Sequence, residues 1–118
     1  MVNKEKKITN KLTGGAKGQK DIQLSAIPPE ALMELGRVYG YGTKKYARHN
    51  FRKGYDWSLS YDALLRHLFA DLNGEDRDPE SGLYHLSHAT WHCLNLLQYH
   101  LDKEAGRQPK ELDDRWRS

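Results

Sequence analysis

Residues 82–101 read GLYHLSHATWHCLNLLQYHL and hold no Asp, Glu, Lys or Arg. In a chain that is 30% charged, twenty such residues predict a helix covered on most sides, because a surface helix normally carries charge on its outer face. We place that helix at about residues 83–103. Leu83, Leu86, Thr90, Leu94, Leu97 and Leu101 recur at helical spacing and read as its core face, widened by Ala89, Cys93 and Leu96. His85, His88, His92, Asn95 and Tyr99 form a second stripe, spaced three, four, three and four. A polar stripe with that spacing predicts a ligand site or a subunit interface.

Working back, DALLRHLFADLNG at 62–74 predicts a helix with Leu64, Leu65, Leu68, Phe69 and Leu72 inward, capped by Ser58 and closed by Asn73-Gly74. His67 and Asp71 lie one turn apart on it. The connection EDRDPESG is acidic: from Asp71 to Glu80 five carboxylates stand against Arg77. Loop acids are often only solvated, so the firmer signal is His67 and Asp71 facing His85, His88 and His92. A mixed His/Asp set without cysteine suits a catalytic divalent metal better than a structural zinc.

An earlier helix starts at Pro28-Pro29-Glu30 and runs to Gly40 or Ala47, with Leu32, Leu35, Val38 and Tyr39 as its stripe. Glu34 is its carboxylate best placed to join the metal group. Gly36, Gly40 and Gly42 weaken this helix by ~1 kcal/mol each, which predicts close approach of another backbone or a ligand, or a break. Residues 47–57, ARHNFRKGYDW, combine donors with flat rings. Arg and Lys there suit phosphates, and the rings suit a base; Trp57 also reads as a core anchor.

The 118 residues give one domain with a modest core, organised as a flexible basic arm at 1–20, a helical domain at 21–104 and a charged tail at 105–118. The fold class expected is all-α: a small bundle of three main helices, completed by self-association into a dimer or tetramer. The net charge of +3 is uneven: residues 1–20 carry +5, leaving −2 elsewhere. The run GGAKGQK lacks the Gly-Lys-Ser/Thr ending of a phosphate loop. Cys93 is the only cysteine, so neither an intramolecular disulfide nor a cysteine zinc site is expected. No signal peptide or membrane span is legible, and a cytoplasmic location is the expectation.

The blocks IPPEAL at 27–32, YG-x-KKY at 41–46, RHL at 66–68 and GED-x-DPESGL-x-HL-x-HA at 74–89 resemble the phage-associated dATP/dGTP diphosphohydrolase N-terminal-domain family, over residues 17–101. The matching positions are Lys44, Lys45, Tyr46, Asn50, Trp57, Arg66, His67, Asp78, Gly82, His85 and His88. The resemblance implies a helical protein that, with a divalent metal, splits pyrophosphate from dGTP or dATP and leaves the monophosphate. The glutamate-rich patterns of helical nucleotide pyrophosphohydrolases are absent.

The expected assignment follows. His67, Asp71 and His88 are catalytic. Glu34, His67, Asp71, Asp78, His85 and His88 hold Mg²⁺ or Mn²⁺. Lys44, Lys45, Arg52 and Arg66 bind phosphates, and Tyr46, Asn50 and Trp57 contact a purine nucleotide's base or sugar. The alternative is a non-catalytic protein that sequesters a nucleotide or nucleotide-derived signal. A nucleic-acid accessory role is weaker, because it leaves the histidine stripe unexplained.

Overall fold

The computed structural model describes residues 5–117. Three helices dominate it: α1 (Pro29–Gly42), α2 (Trp57–Leu72) and α3 (His85–Glu104). A two-stranded antiparallel hairpin, β1 (Lys6–Thr9) and β2 (Ala16–Gln19), precedes them. The hairpin falls within the expected basic arm and corrects the expectation of a purely helical chain; residues 1–4 of that arm lie outside the described residues. Its turn forms because the Asn10 carboxamide oxygen accepts from the backbone of Leu12 and Thr13 (2.9 and 3.0 Å) and Gly14 takes φ +75°. Both strands are almost wholly exposed, so register rests on the turn rather than on a buried face.

α1 starts at Pro29, where a missing N–H costs nothing, with Glu30 in the first turn. It runs through Gly36 and Gly40 to Gly42, and a Cβ added at any of the three meets nothing within 4 Å. No backbone approaches these glycines, contrary to one expectation; they border cavities instead. α2 begins at Trp57 after Asp56, not behind a Ser58 cap. Ser58 donates instead, through its N–H and hydroxyl, to Asp114 (2.9 and 2.6 Å).

α3 is the middle helix, packed against α2 along one side and α1 along another. Both neighbours run antiparallel to it: His67 meets His85, Ser60 meets His92, and Trp57 meets His100. Tyr39 likewise meets Asn95, and Tyr41 meets His88. The core cluster is Trp57, Leu64, Ala89, Leu96 and Tyr99.

The face that α3 buries is shifted from the expected one: Ala89 and Leu96 are buried as expected, but most of the leucine stripe is not. His85, Asn95 and Tyr99 are buried, whereas Leu86, Leu94, Leu97 and Leu101 are exposed. Leu65, Leu68, Phe69 and Leu72 on α2 are also exposed, Leu72 by 80%. Hydrogen bonding makes the shift tolerable, since buried polar groups are cheap only when partnered. The Tyr39 hydroxyl donates to Asn95 Oδ1 (2.6 Å) and the Tyr99 hydroxyl to the Phe51 carbonyl (2.6 Å).

The tail folds back as a clamp over residues 105–117. Gly106 (φ +72°) ends α3, and a short 3₁₀ turn, Lys110–Leu112, leads to the buried Asp113. Asp113 accepts from Lys103 (2.7 Å), from Arg115 twice (2.8 and 2.9 Å) and from Arg117. Lys103 and Arg115 also stand over the Trp57 ring. Trp116 is exposed and does not dock.

Gly54 sets the approach to α2. Its φ is +86°, and an added Cβ would fall 2.7 Å from Gln108 Oε1 and 2.9 Å from Leu112 Cδ1. The variant Gly54→Ala is expected to lose about 2 kcal/mol, since forced left-handed backbone of this kind costs on the order of 1–3 kcal/mol. Urea unfolding checks this; an unchanged midpoint would contradict the assignment.

Candidate metal centre

The site is made by the loop that joins α2 to α3. Asn73 closes α2, Gly74 (φ +96°) reverses the chain, and the segment folds on itself. The Asp78 N–H donates to the Leu83 carbonyl (2.8 Å) and the Gly82 N–H to the Asp78 carbonyl (2.7 Å). Arg77 donates to the Gly82 carbonyl and covers the Tyr84 ring at 4.1 Å. This fold-back returns Asp78 to His67, eleven residues earlier.

Ligand atoms of His67, Asp78 and His85 lie within 4.8 Å of one another. His67 is 4% exposed and His85 is buried. Their Nδ1 atoms are 2.8 Å apart, and Asp78 Oδ2 is 3.9 Å from His67 Nδ1. His85 Nε2 meets Glu75 Oε1 at 2.7 Å. The carboxylate holds the His85 proton on Nε2 and leaves Nδ1 as a lone pair. His67 Nδ1–H then donates to it; a proton moved to Nε2 of His67 turns both Nδ1 lone pairs toward one point.

Protonation favours a cation here. Burial, then the nearby His88 and Arg66, lowers His67 to about 4. Burial, then His67 and His88, lowers His92 to about 4, and burial lowers His88 as well. Burial acts to raise Asp78, but the Glu80 N–H (2.8 Å to Oδ1) and the three imidazoles His88, His67 and His85 outweigh it and hold it below its usual value. At neutral pH the group is therefore neutral His67 beside an ionised carboxylate, ready to ligate without releasing a proton. Two imidazoles and a carboxylate with an anchored second shell match the donor set of a divalent transition metal.

The other expected residues scatter. Asp71 is half-buried one turn beyond His67 and outside the three-residue group. Glu34 pairs with Arg37 (3.2 Å) on α1. His88 stacks on His67 (4.7 Å between centroids), and its Nε2 meets Ser81 Oγ at 2.7 Å. Ser81 Oγ also accepts from the Leu83 N–H (3.1 Å), and its bond with His88 takes its direction from the His88 tautomer. Lys45 pairs with Glu80 of the same loop (3.2 Å), and Lys44 stands over the Tyr41 ring. Arg66 is exposed, and its charge reaches His67, His88 and His92. Trp57 is 2% exposed in the core, lines neither cavity described below, and so cannot contact a base there.

Beyond His92 opens a mainly apolar cavity of about 350 Å³. Tyr46, Asn50 and Arg48 line it, with a cluster of Tyr39, Phe51 and Trp91 whose centroids are 5.5 to 6.2 Å apart. His92 belongs to both regions: its ring faces His67 at 6.2 Å and meets Trp91 edge-on at 4.7 Å. Sequence reasoning missed Trp91; its place between the histidine and leucine stripes was the available signal. The missed Glu75 was legible only as one acid among five.

The model of the family described as dATP/dGTP diphosphohydrolase, N-terminal, matches residues 11–114. The chain belongs to that family. A dATP/dGTP diphosphohydrolase of Salmonella phage PMBT28 is 36% identical over 105 residues. The match covers 89% of this chain and 34% of the phage protein, so this member of the diphosphohydrolase N-terminal family spans about a third of that relative. No solved structure matches. Among the described residues no helix is long and apolar enough to cross a membrane.

Proposed function

We propose that this domain binds purine deoxynucleoside triphosphates and hydrolyses them to monophosphate and pyrophosphate with a divalent metal. The carrying observation is the convergence of His67, Asp78 and His85 next to an aromatic cavity of base size. The name of the phage relative supports dATP and dGTP as substrates. Two imidazoles favour Mn²⁺ over Mg²⁺, which prefers an all-oxygen shell. A bound metal would supply Lewis acidity toward a phosphoryl oxygen and activate water.

The chain's own residues do the rest. Glu75 keeps His85 in the ligating tautomer. Asp78 supplies the anionic donor. Tyr39, Phe51 and Trp91 hold a purine ring, with Tyr46 and Asn50 at the mouth. Arg66, whose charge reaches His67, His88 and His92, would neutralise phosphate oxygens together with Lys44 and Lys45. His92, neutral at pH 7, spans the base cavity and the histidine group and is placed to orient water or a phosphate oxygen.

Purified protein with Mn²⁺ or Mg²⁺ should release pyrophosphate from dATP or dGTP. A folded protein inert across a panel of nucleoside triphosphates would remove the hydrolase reading. The second reading is binding without chemistry, and the observation favouring it is the mainly apolar cavity bordered by Tyr39, Phe51 and Trp91, which could hold a base without the metal group. It predicts stoichiometric binding with the nucleotide recovered intact.

The exposed leucines of α2 and α3, Leu65, Leu68, Leu72, Leu86, Leu97 and Leu101 among them, lie outside the core cluster. Exposed apolar side chains of this kind mark an interaction surface, and a second copy of the same helix pair would complete a four-helix bundle. Light scattering after size exclusion should report a dimer or larger assembly. The double variant Leu68→Glu/Leu97→Glu should shift it to monomer. A wild-type monomer at high concentration contradicts this.

A further inference from the structure

A second cavity, of about 540 Å³, lies between α1, the turn at Asn50–Lys53 and α3. It shares Tyr39, Thr43, Arg48 and Phe51 with the aromatic cavity, but neither His92 nor Trp91 borders it. Three observations point to an anionic ligand. First, Asn95 borders the cavity at 1% exposure, and its Nδ2 has no hydrogen-bond partner. Its Oδ1 is taken by the Tyr39 hydroxyl, so a buried donor is left over. Such a group costs on the order of 1–3 kcal/mol unless an acceptor meets it, and most buried polar groups have one.

Second, Arg48 and Arg52 border the same space, and no ion pair among the described residues involves either. The Arg52 guanidinium rests over the Phe51 ring (5.4 Å), close enough to act electrostatically on the Tyr39 hydroxyl. Asp102, an acid on which the Arg52 charge acts, is already held by Arg107 (2.8 Å) and by the Gln98 amide (3.1 Å). Third, Gly36 and Gly40, one turn apart on α1, form the opposite wall, where any side chain would take up the space.

We propose that this cavity is a phosphate-binding site separate from the metal centre, in which the Asn95 amide and the Arg48 and Arg52 guanidiniums hold phosphate oxygens. Guanidinium forks match the oxygens of phosphate, and the volume admits a di- or triphosphate. The choice of phosphate rests on the nucleotide reading above; the cavity and its unpaired donors do not. Two sources share this chemistry. One is free pyrophosphate, and the other is the phosphate chain of a nucleotide whose base lies across the Tyr39–Phe51 wall.

Calorimetric titration in EDTA at low salt tests the site without metal or turnover, with inorganic pyrophosphate in one arm and dGTP in the other. Wild type should bind at one site per chain. Binding in the pyrophosphate arm identifies a free-anion site; binding of dGTP alone identifies a nucleotide's phosphate chain. Gly40→Leu should weaken binding at least tenfold while the unfolding temperature holds or rises, because leucine is the better helix former. Arg52→Gln should weaken it similarly. Asp78→Asn should bind as wild type does. No heat in either arm, full affinity in both cavity variants, or loss on Asp78→Asn would each overturn the proposal. Loss of hydrolysis with this binding intact would fall on the hydrolase reading alone.

Discussion

Asp78→Asn is expected to lower pyrophosphate release by at least ~100-fold, about 2.7 kcal/mol of barrier, with the fold retained. The change keeps the shape of the side chain and removes the anionic donor of the His67–Asp78–His85 group. Its Oδ1 bond from the Glu80 N–H survives in the amide, so the loop should keep its turn. Glu75→Gln should be milder. It weakens the anchor on His85 Nε2, and losing such an outer partner typically costs roughly 10–100-fold in metal affinity or activity. Raising Mn²⁺ should rescue Glu75→Gln and leave Asp78→Asn inactive. Asp71→Asn, outside the group, should stay within a few-fold of wild type. Steady-state rates across a Mn²⁺ series check all three, and equal loss in Asp71→Asn and Asp78→Asn would contradict the assignment.

Asp113→Ala is expected to destabilise the fold strongly without touching the site. The carboxylate is fully covered and serves Lys103, Arg115 and Arg117 together. Breaking a buried pair costs about 3–5 kcal/mol. The three cations are a third to 60% exposed, so solvent screens them and about 2 kcal/mol is the better expectation. The loss should loosen the tail from Trp57 and the end of α3. The hydrogen bonds from Arg115, first, and from Lys103 hold the Asp113 carboxyl far below its ordinary range. A lowered acid contributes fully above its unfolded value of ~3.9 and loses that contribution as pH falls toward the folded value. The stability gap between wild type and Asp113→Ala should therefore be constant from pH 7 to about 5 and shrink below about pH 4. Urea unfolding at several pH values measures it, and a gap that widens in acid would be the wrong sign.

The three helices were legible because α1, α2 and α3 each carry a helical repeat with a recognisable start or stop. The orientation of α3 was not. Hydrophobicity alone sends Leu86, Leu94, Leu97 and Leu101 inward, yet the structure buries His85, Asn95 and Tyr99. The deciding bonds, from Tyr39 to Asn95 and from Tyr99 to Phe51, join residues 56 and 48 positions apart. No local pattern encodes them. The histidines of the metal group were legible as types at helical spacing. Asp78 was one of several acids until the 73–84 loop folded it back, while Asp71, which helical spacing favoured, stays outside. The hairpin was missed because KKIT and AKGQ have no buried face and hence no alternation to read.

The central claim is that His67, Asp78 and His85 hold a divalent metal. Titration of the metal-free protein with Mn²⁺, followed by the electron paramagnetic resonance signal of free ion, tests it most directly. One Mn²⁺ per chain should be held tightly at pH 7.5, and lost in both Asp78→Asn and His85→Ala. Free Mn²⁺ signal that rises from the first addition, or binding unchanged in those two variants, would contradict it.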